Sequence, residues 1–86
     1  MRVRVRFLSY LRDMIGVNAS VLEVNRQCTL GELVELMMDK WPILRKIDLR
    51  GEGPIIVLLN NRTASPNTPV NDDDDEVTVI PPATGG

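Results

Sequence analysis

The 86-residue sequence contains no histidine, a single cysteine, and only one each of tryptophan, tyrosine and phenylalanine. Without histidine the commonest general base and metal ligand are missing, and a lone cysteine can neither close an internal disulfide nor build a thiolate cluster. The chain therefore reads as a cytoplasmic protein with no autonomous active site and no metal centre. Long apolar runs are missing too. The longest, Ile55 to Leu59, falls far short of the roughly 20 residues a membrane-spanning helix needs, and no basic segment leads into an apolar stretch at the N-terminus. Nor is positive charge in excess: 10 Lys and Arg against 12 Asp and Glu give a net charge of −2. Apart from Arg2, Arg4 and Arg6 the basic residues are scattered, which leaves no nucleic-acid footprint.

What is present fits one small domain. With 43% hydrophobic residues, a single core can form without covalent staples and bury roughly 60 to 65% of the surface that the unfolded chain exposes. Residues 2 to 7 alternate as Arg2-Val3-Arg4-Val5-Arg6-Phe7, the period of a half-buried strand with Val3, Val5 and Phe7 inward. The three arginines share the other side, read as a solvated strand face that discourages edge-to-edge pairing. Leu11, Met14 and Ile15 at helical spacing, closed by Gly16, predict a short helical turn before a second strand over Ala19 to Val24. The two strands then form a hairpin with a decorated loop.

Thr29-Leu30-Gly31-Glu32 matches a capping box, in which the Thr29 hydroxyl accepts from the Glu32 amide while the Glu32 side chain returns to the amide of Thr29. Leu30, Leu33, Val34, Met37, Met38 and Trp41 follow on one stripe, with Glu32, Glu35, Asp39 and Lys40 opposite, so a helix packs one face on a sheet until Pro42 ends it. Cys28, just before the cap, is expected to be structural, within reach of Leu33 as a hydrophobic staple. Ile43 to Gly53 reads as a loop with an irregular turn. Ile55 to Leu59 is a strand apolar on both faces. One helix can cover only one face of the sheet, so Val57 and Leu59 should point to it while Ile56 and Leu58 lie on the open face. Asn60-Asn61 signals a turn, Arg62 to Ala64 a short edge strand, and Ser65 to Pro69 a loop. The acidic run Asp72 to Glu76 reads as a solvated turn without the spacing of a calcium loop. Glu76 to Ile80 is a last strand with Val77 and Val79 inward.

Residues 1 to 80 thus form the domain, and residues 81 to 86 a projecting tail, Pro81-Pro82-Ala83-Thr84-Gly85-Gly86. The two prolines hold the chain extended. The glycines, lacking Cβ, fit a slot too narrow for other residues. A frayed end and an arm handled by another protein both suit these residues taken alone.

The order of hairpin, capped helix, strand, short strand, final strand and projecting Gly-Gly is the ubiquitin-like β-grasp layout, and the local sequence resembles the small, sulfur-carrying subunit of molybdopterin synthase. Val5 to Gly16 looks like that family's first strand and turn, Thr29 to Leu33 like its helix start, Leu59-Asn60-Asn61 like its central strand and turn, and Asp75 to Gly86 like its last strand and tail. The tail is the specific part. Two departures stand out: four aspartates run together where the family usually places a glycine, and Arg62 and Thr63 stand where an apolar contact residue is expected.

The resemblance implies an α+β fold: a mixed sheet of four to five strands with one main helix packed on one face and an extended tail. It also implies a mechanism. An E1-like adenylating enzyme would use ATP to activate the Gly86 carboxylate, and a persulfide protein would supply sulfur to give a C-terminal thiocarboxylate. The tail would then enter the large, catalytic subunit of molybdopterin synthase, which supplies the acid-base groups. No cofactor is bound permanently; ATP belongs to the activating partner. Gly86 carries the chemistry, Gly85 gives clearance, and Thr84, Ala83, Pro82 and Pro81 set the reach. Leu8, Ile56, Leu58 and Ile80, apolar on the face away from the helix, are the expected partner interface. Thiamin sulfur carriers share the fold and the Gly-Gly but are typically shorter. A ubiquitin-like modifier joined through Gly86 to target lysines fits the same terminus, as does a plain interaction module whose terminus is never activated.

Overall fold

The computed structural model describes residues 1–24, 27–47, 56–70 and 75–81. The alternating N-terminal segment forms β1, Arg2–Phe7, with Val3, Val5 and Phe7 fully buried and the arginines exposed. Antiparallel to it runs β2, Ala19–Glu23, which pairs Arg2 with Glu23 and Arg6 with Ala19. Between them lies α1, Leu11–Ile15. It stops at Gly16, which turns left-handed with φ 94° and donates its N–H to the Arg12 carbonyl at 2.8 Å. Leu11 is the buried anchor of this turn, whereas Met14, on the same expected stripe, faces outward.

The helix α2, Leu30–Lys40, begins at the expected box: the Thr29 amide donates to Glu32 Oε1 at 2.9 Å, and the Glu32 amide donates to Thr29 Oγ1 at 3.2 Å. Two further first-turn donors are satisfied by a neighbouring loop, Leu30 N–H by the Thr68 carbonyl and Gly31 N–H by the Pro66 carbonyl, both at 2.8 Å. Gly31 permits that approach, since a Cβ there would stand 3.2 Å from the Pro66 oxygen. Leu30, Leu33, Val34, Met37 and Met38 are buried. Trp41 sets its ring edge-on to Phe7, centroids 5.0 Å apart. Pro42 ends the helix and opens a 3-10 turn, Pro42–Ile47, that seats Leu44 in the core.

Three short strands and one long one complete the chain. These are β4, Ile56–Leu59; β5, Arg62–Thr63; β6, Pro69–Val70; and β7, Glu76–Ile80. The main sheet has the order β2-β1-β7-β4-β5, with β1 and β7 parallel at its centre and the other pairs antiparallel. A core of strand and helix side chains fills the space between this sheet and α2. This is the expected β-grasp arrangement.

Several expectations need correction. The Arg2, Arg4 and Arg6 row does not guard a sheet edge, because β1 is paired on both sides. For Cys28 and Thr29 the sequence predicts only a staple and a helix cap. Instead Cys28–Thr29 forms β3, antiparallel to β6, with Cys28 opposite Val70. The acidic turn is not uniformly solvated: Asp72 to Asp74 lie outside the described residues, but Asp75 is buried and accepts a bond from Asn60 Nδ2 at 3.0 Å. Pro81, the first residue of the expected arm, is buried.

Candidate functional site

The two faces of the sheet follow from side-chain parity and register. In β7, Val77 and Val79 point to α2 and are fully buried, so Glu76, Thr78 and Ile80 point the other way. Antiparallel pairing sets Ile56 opposite Ile80 and Leu58 opposite Thr78, and β5 adds Thr63 opposite Leu58. On the other side of β7, parallel pairing places Arg6 beside Thr78 and Arg4 beside Glu76. Leu8, directly after β1, donates its amide to the Val79 carbonyl at 3.1 Å, which continues that ladder by one residue.

The four residues expected as an interface therefore come together on the open face, at the end where β7 leads into the tail. Ile56 is 50% exposed, and Leu8, Leu58 and Ile80 are half-buried. The opposite end of the same face is charged. Arg6 approaches Glu76 at 3.7 Å and Arg2 approaches Glu23 at 3.5 Å. Both pairs are solvated and contribute little to stability.

Thr78 sits at the boundary between the two halves, and pattern reading passed over it. Although on the open face, it is 4% exposed, and among the described residues its Oγ1 has no hydrogen-bond partner. Its sequence neighbours gave no sign of this. The signal lies in register, which sets it between Arg6 and Leu58, two side chains long enough to close over a threonine.

The Asn60-Asn61 turn joins β4 to β5 at the start of β7, the end of the sheet opposite the apolar cluster. Both residues have positive φ, 50° and 65°, the signature of a two-residue type I′ hairpin. Asn60 also ties that hairpin to the start of β7. Its Oδ1 accepts the Glu76 amide at 2.9 Å, its own amide donates to the Glu76 carbonyl at 2.7 Å, and its Nδ2 holds Asp75. Asparagine tolerates the left-handed region while carrying a donor and an acceptor, which neither glycine nor alanine does. This brace thus fixes β4 against the start of β7, at the end of the sheet away from Ile56 and Ile80.

Of the expected tail residues, Pro82, Ala83, Thr84, Gly85 and Gly86 lie outside the described residues. Among the described residues, no group of three or more His, Cys, Asp or Glu is placed to hold a metal, and no helix is long and apolar enough to cross a membrane.

The ThiS family model matches residues 5–86. Comparison with curated proteins gives no match. Among solved structures, the chain is similar to SAMP1 from Haloferax volcanii, with a TM-score of 0.82 and 23% identity over 100% of both chains. It is similar also to a protein assigned as molybdopterin converting factor subunit 1 from Pyrococcus furiosus, with a TM-score of 0.81 and 20% identity over 96% of this chain and 99% of that one. A third match is the Helicobacter pylori complex of subunits 1 and 2 of molybdopterin-converting factor, at TM-score 0.64 and 26% identity over 100% of both chains.

Proposed function

Since this chain belongs to the ThiS family, we propose that it is a sulfur carrier for molybdopterin synthesis, with the α-carboxylate of Gly86 as the group that carries sulfur. The observation that carries this reading is the coincidence of two features: the family match runs through the Gly-Gly end, and the apolar half of the open face lies where β7 leads into that end. A protein that threads the tail into its own active site is drawn against Leu8, Ile56, Leu58 and Ile80. The likeness to a subunit 1 in complex with its subunit 2 supports a large synthase subunit as one such partner.

A carboxylate is a poor acyl donor because its leaving group is oxide. In the proposed sequence an E1-like enzyme brings a Gly86 carboxylate oxygen to the α-phosphorus of ATP, and pyrophosphate departs. The terminal sulfur of a partner's persulfide attacks the acyl carbon and expels AMP, giving an acyl disulfide. A second thiol then takes the partner's sulfur as an ordinary disulfide, and the electron pair released stays on the carrier as thiocarboxylate. This chain supplies the acyl group, a slender approach through Thr84 and Gly85, and the docking face. ATP, persulfide and acid-base groups come from the partners.

Intact-mass measurement of the chain from its native cells tests the proposal. A gain equal to sulfur replacing oxygen, located at Gly86 and absent after Gly86 deletion, is expected. Sulfur retained by the deletion variant overturns the reading. Branched Gly-Gly remnants on lysines of other proteins would reveal the modifier reaction, which draws on the same adenylate.

A further inference from the structure

The two edges of the main sheet differ. One edge is β5, only two residues long, whereas the other is β2, a five-residue strand. The backbone of β2 can be assigned group by group. Met1 and Val24 exchange both main-chain bonds, at 2.9 and 2.8 Å, and the Phe7 amide donates to the Asn18 carbonyl at 2.9 Å. An antiparallel ladder alternates bonded with non-bonded pairs. The bonded pairs are therefore Met1 with Val24, Val3 with Leu22, Val5 with Ser20, and Phe7 with Asn18, while Arg2/Glu23, Arg4/Val21 and Arg6/Ala19 are non-bonded. The Arg4 amide confirms the phase, since it points away from β2 and donates to the Asp75 carbonyl. It follows that Ala19, Val21 and Glu23 turn their N–H and C=O groups outward, and all three residues are exposed.

Such an edge is a template for another strand unless something blunts it. Here neither proline nor a bulge interrupts β2, and Val21 at its middle is an exposed apolar residue, 37% accessible. We propose that β2 pairs antiparallel with β2 of a second copy of this chain, about a twofold axis at Val21, joining the two sheets into one.

The strand carries its own complement in that register. Val21 faces Val21 of the second copy, and Ala19 faces Glu23 of the second copy, so every outward residue finds an outward residue. Three bonded pairs form, with two bonds each. Ala19 is flanked on β1 by Arg6, and the alanine methyl is short enough for that guanidinium to reach the incoming Glu23 carboxylate. The twofold repeats this contact. Among the described residues, the main sheets are then left with the two β5 strands as their edges, and the apolar end of the open face stays uncovered. The inference is independent of the fate of Gly86.

Sedimentation equilibrium on the full chain tests it. The mass should rise with concentration from 9.6 kDa towards twice that value between about 10 µM and about 1 mM. Val21→Pro removes an outward donor that the β1–β2 ladder does not use. It costs the dimer two bonds and should raise its dissociation constant at least about tenfold, while the circular dichroism spectrum is retained. Should that variant fail to fold, Val21→Cys in a Cys28→Ala background gives the second reading: mild oxidation should link two copies through position 21, where cross-strand spacing suits a disulfide, and Ser20→Cys in the same background should not. A single-chain mass across the whole range, or a dimer indifferent to Val21→Pro, overturns the proposal.

Discussion

The same strands present two very different surfaces. Toward α2, β1, β7 and β4 contribute Val3, Val5, Phe7, Val77, Val79, Val57 and Leu59, nearly all buried. Away from it they contribute arginines, a glutamate, a threonine and, at one end only, aliphatic side chains. Parity alone makes this division, since neighbouring residues on a strand differ by half a turn. The helix side is constrained by packing and tolerates only apolar side chains. The open side is free to vary, so its concentration of Leu8, Ile56, Leu58 and Ile80 at the tail end points to a use outside the fold.

Charging adjacent positions of β4 puts the strongest stress on this comparison. Leu59→Asp buries a carboxylate against the helix and should cost about 5 kcal/mol or more, comparable with the whole stability of so small a domain. Thermal unfolding followed by circular dichroism should find no cooperative transition. Leu58→Asp on the half-buried outward position should keep that transition. It should instead weaken association with the two partners proposed above, the activating enzyme and the large subunit, by on the order of 2 kcal/mol, as titration calorimetry would read. Equal loss of fold in the two variants would erase the distinction between the faces.

Asn60→Ala removes two side-chain bonds and forces alanine into the left-handed region, so denaturant unfolding should show a loss of about 2 to 4 kcal/mol. Asn60→Gly keeps the turn conformation and should recover part of that loss. The same two variants ask whether the apolar end of the sheet depends on a brace at the other end. A smaller effect is expected at the helix start, where Thr29→Ala removes one half of the capping box at about 1 kcal/mol.

Thr78→Val replaces a shielded, unpartnered hydroxyl by a methyl of similar shape. The expected outcome is no loss of stability and a gain of up to about 1 kcal/mol. A clear loss in denaturant unfolding would show that the hydroxyl is satisfied in solution and that the open face is wetter than its geometry indicates.

Much of this architecture was legible in the sequence wherever a period or a local motif was long enough to register. The six residues of β1 carry three full alternations. The capping box at Thr29 and Glu32 names its own partners, and the two-faced apolar run of β4 resolved correctly once one helix had to cover one face. Non-local pairing was not legible. Nothing in Arg2 to Phe7 says that the strand lies inside the sheet beside β7, and the two-residue strands β3 and β6 are too short to have a period. Asp75 resembles its acidic neighbours in sequence and differs only because Asn60 reaches it. Of the candidate site, parity placed Leu8, Ile56, Leu58 and Ile80 together, whereas the shielding of Thr78 depends on which chains stand on either side, a matter of register.

The parallel pairing of β1 with β7 bears also on synthesis of the chain. Arg4 and Glu76 are direct neighbours in the sheet although 76 − 4 = 72 positions separate them, so the central ladder closes one of the longest loops the chain can make. While a ribosome is still adding residues, β1 and β2 can zip into a hairpin. The middle of the sheet nevertheless stays empty until β7 has emerged. An interrupted message would therefore yield a product that lacks the sheet's centre, and the proposed docking surface could form only once β7 has been made.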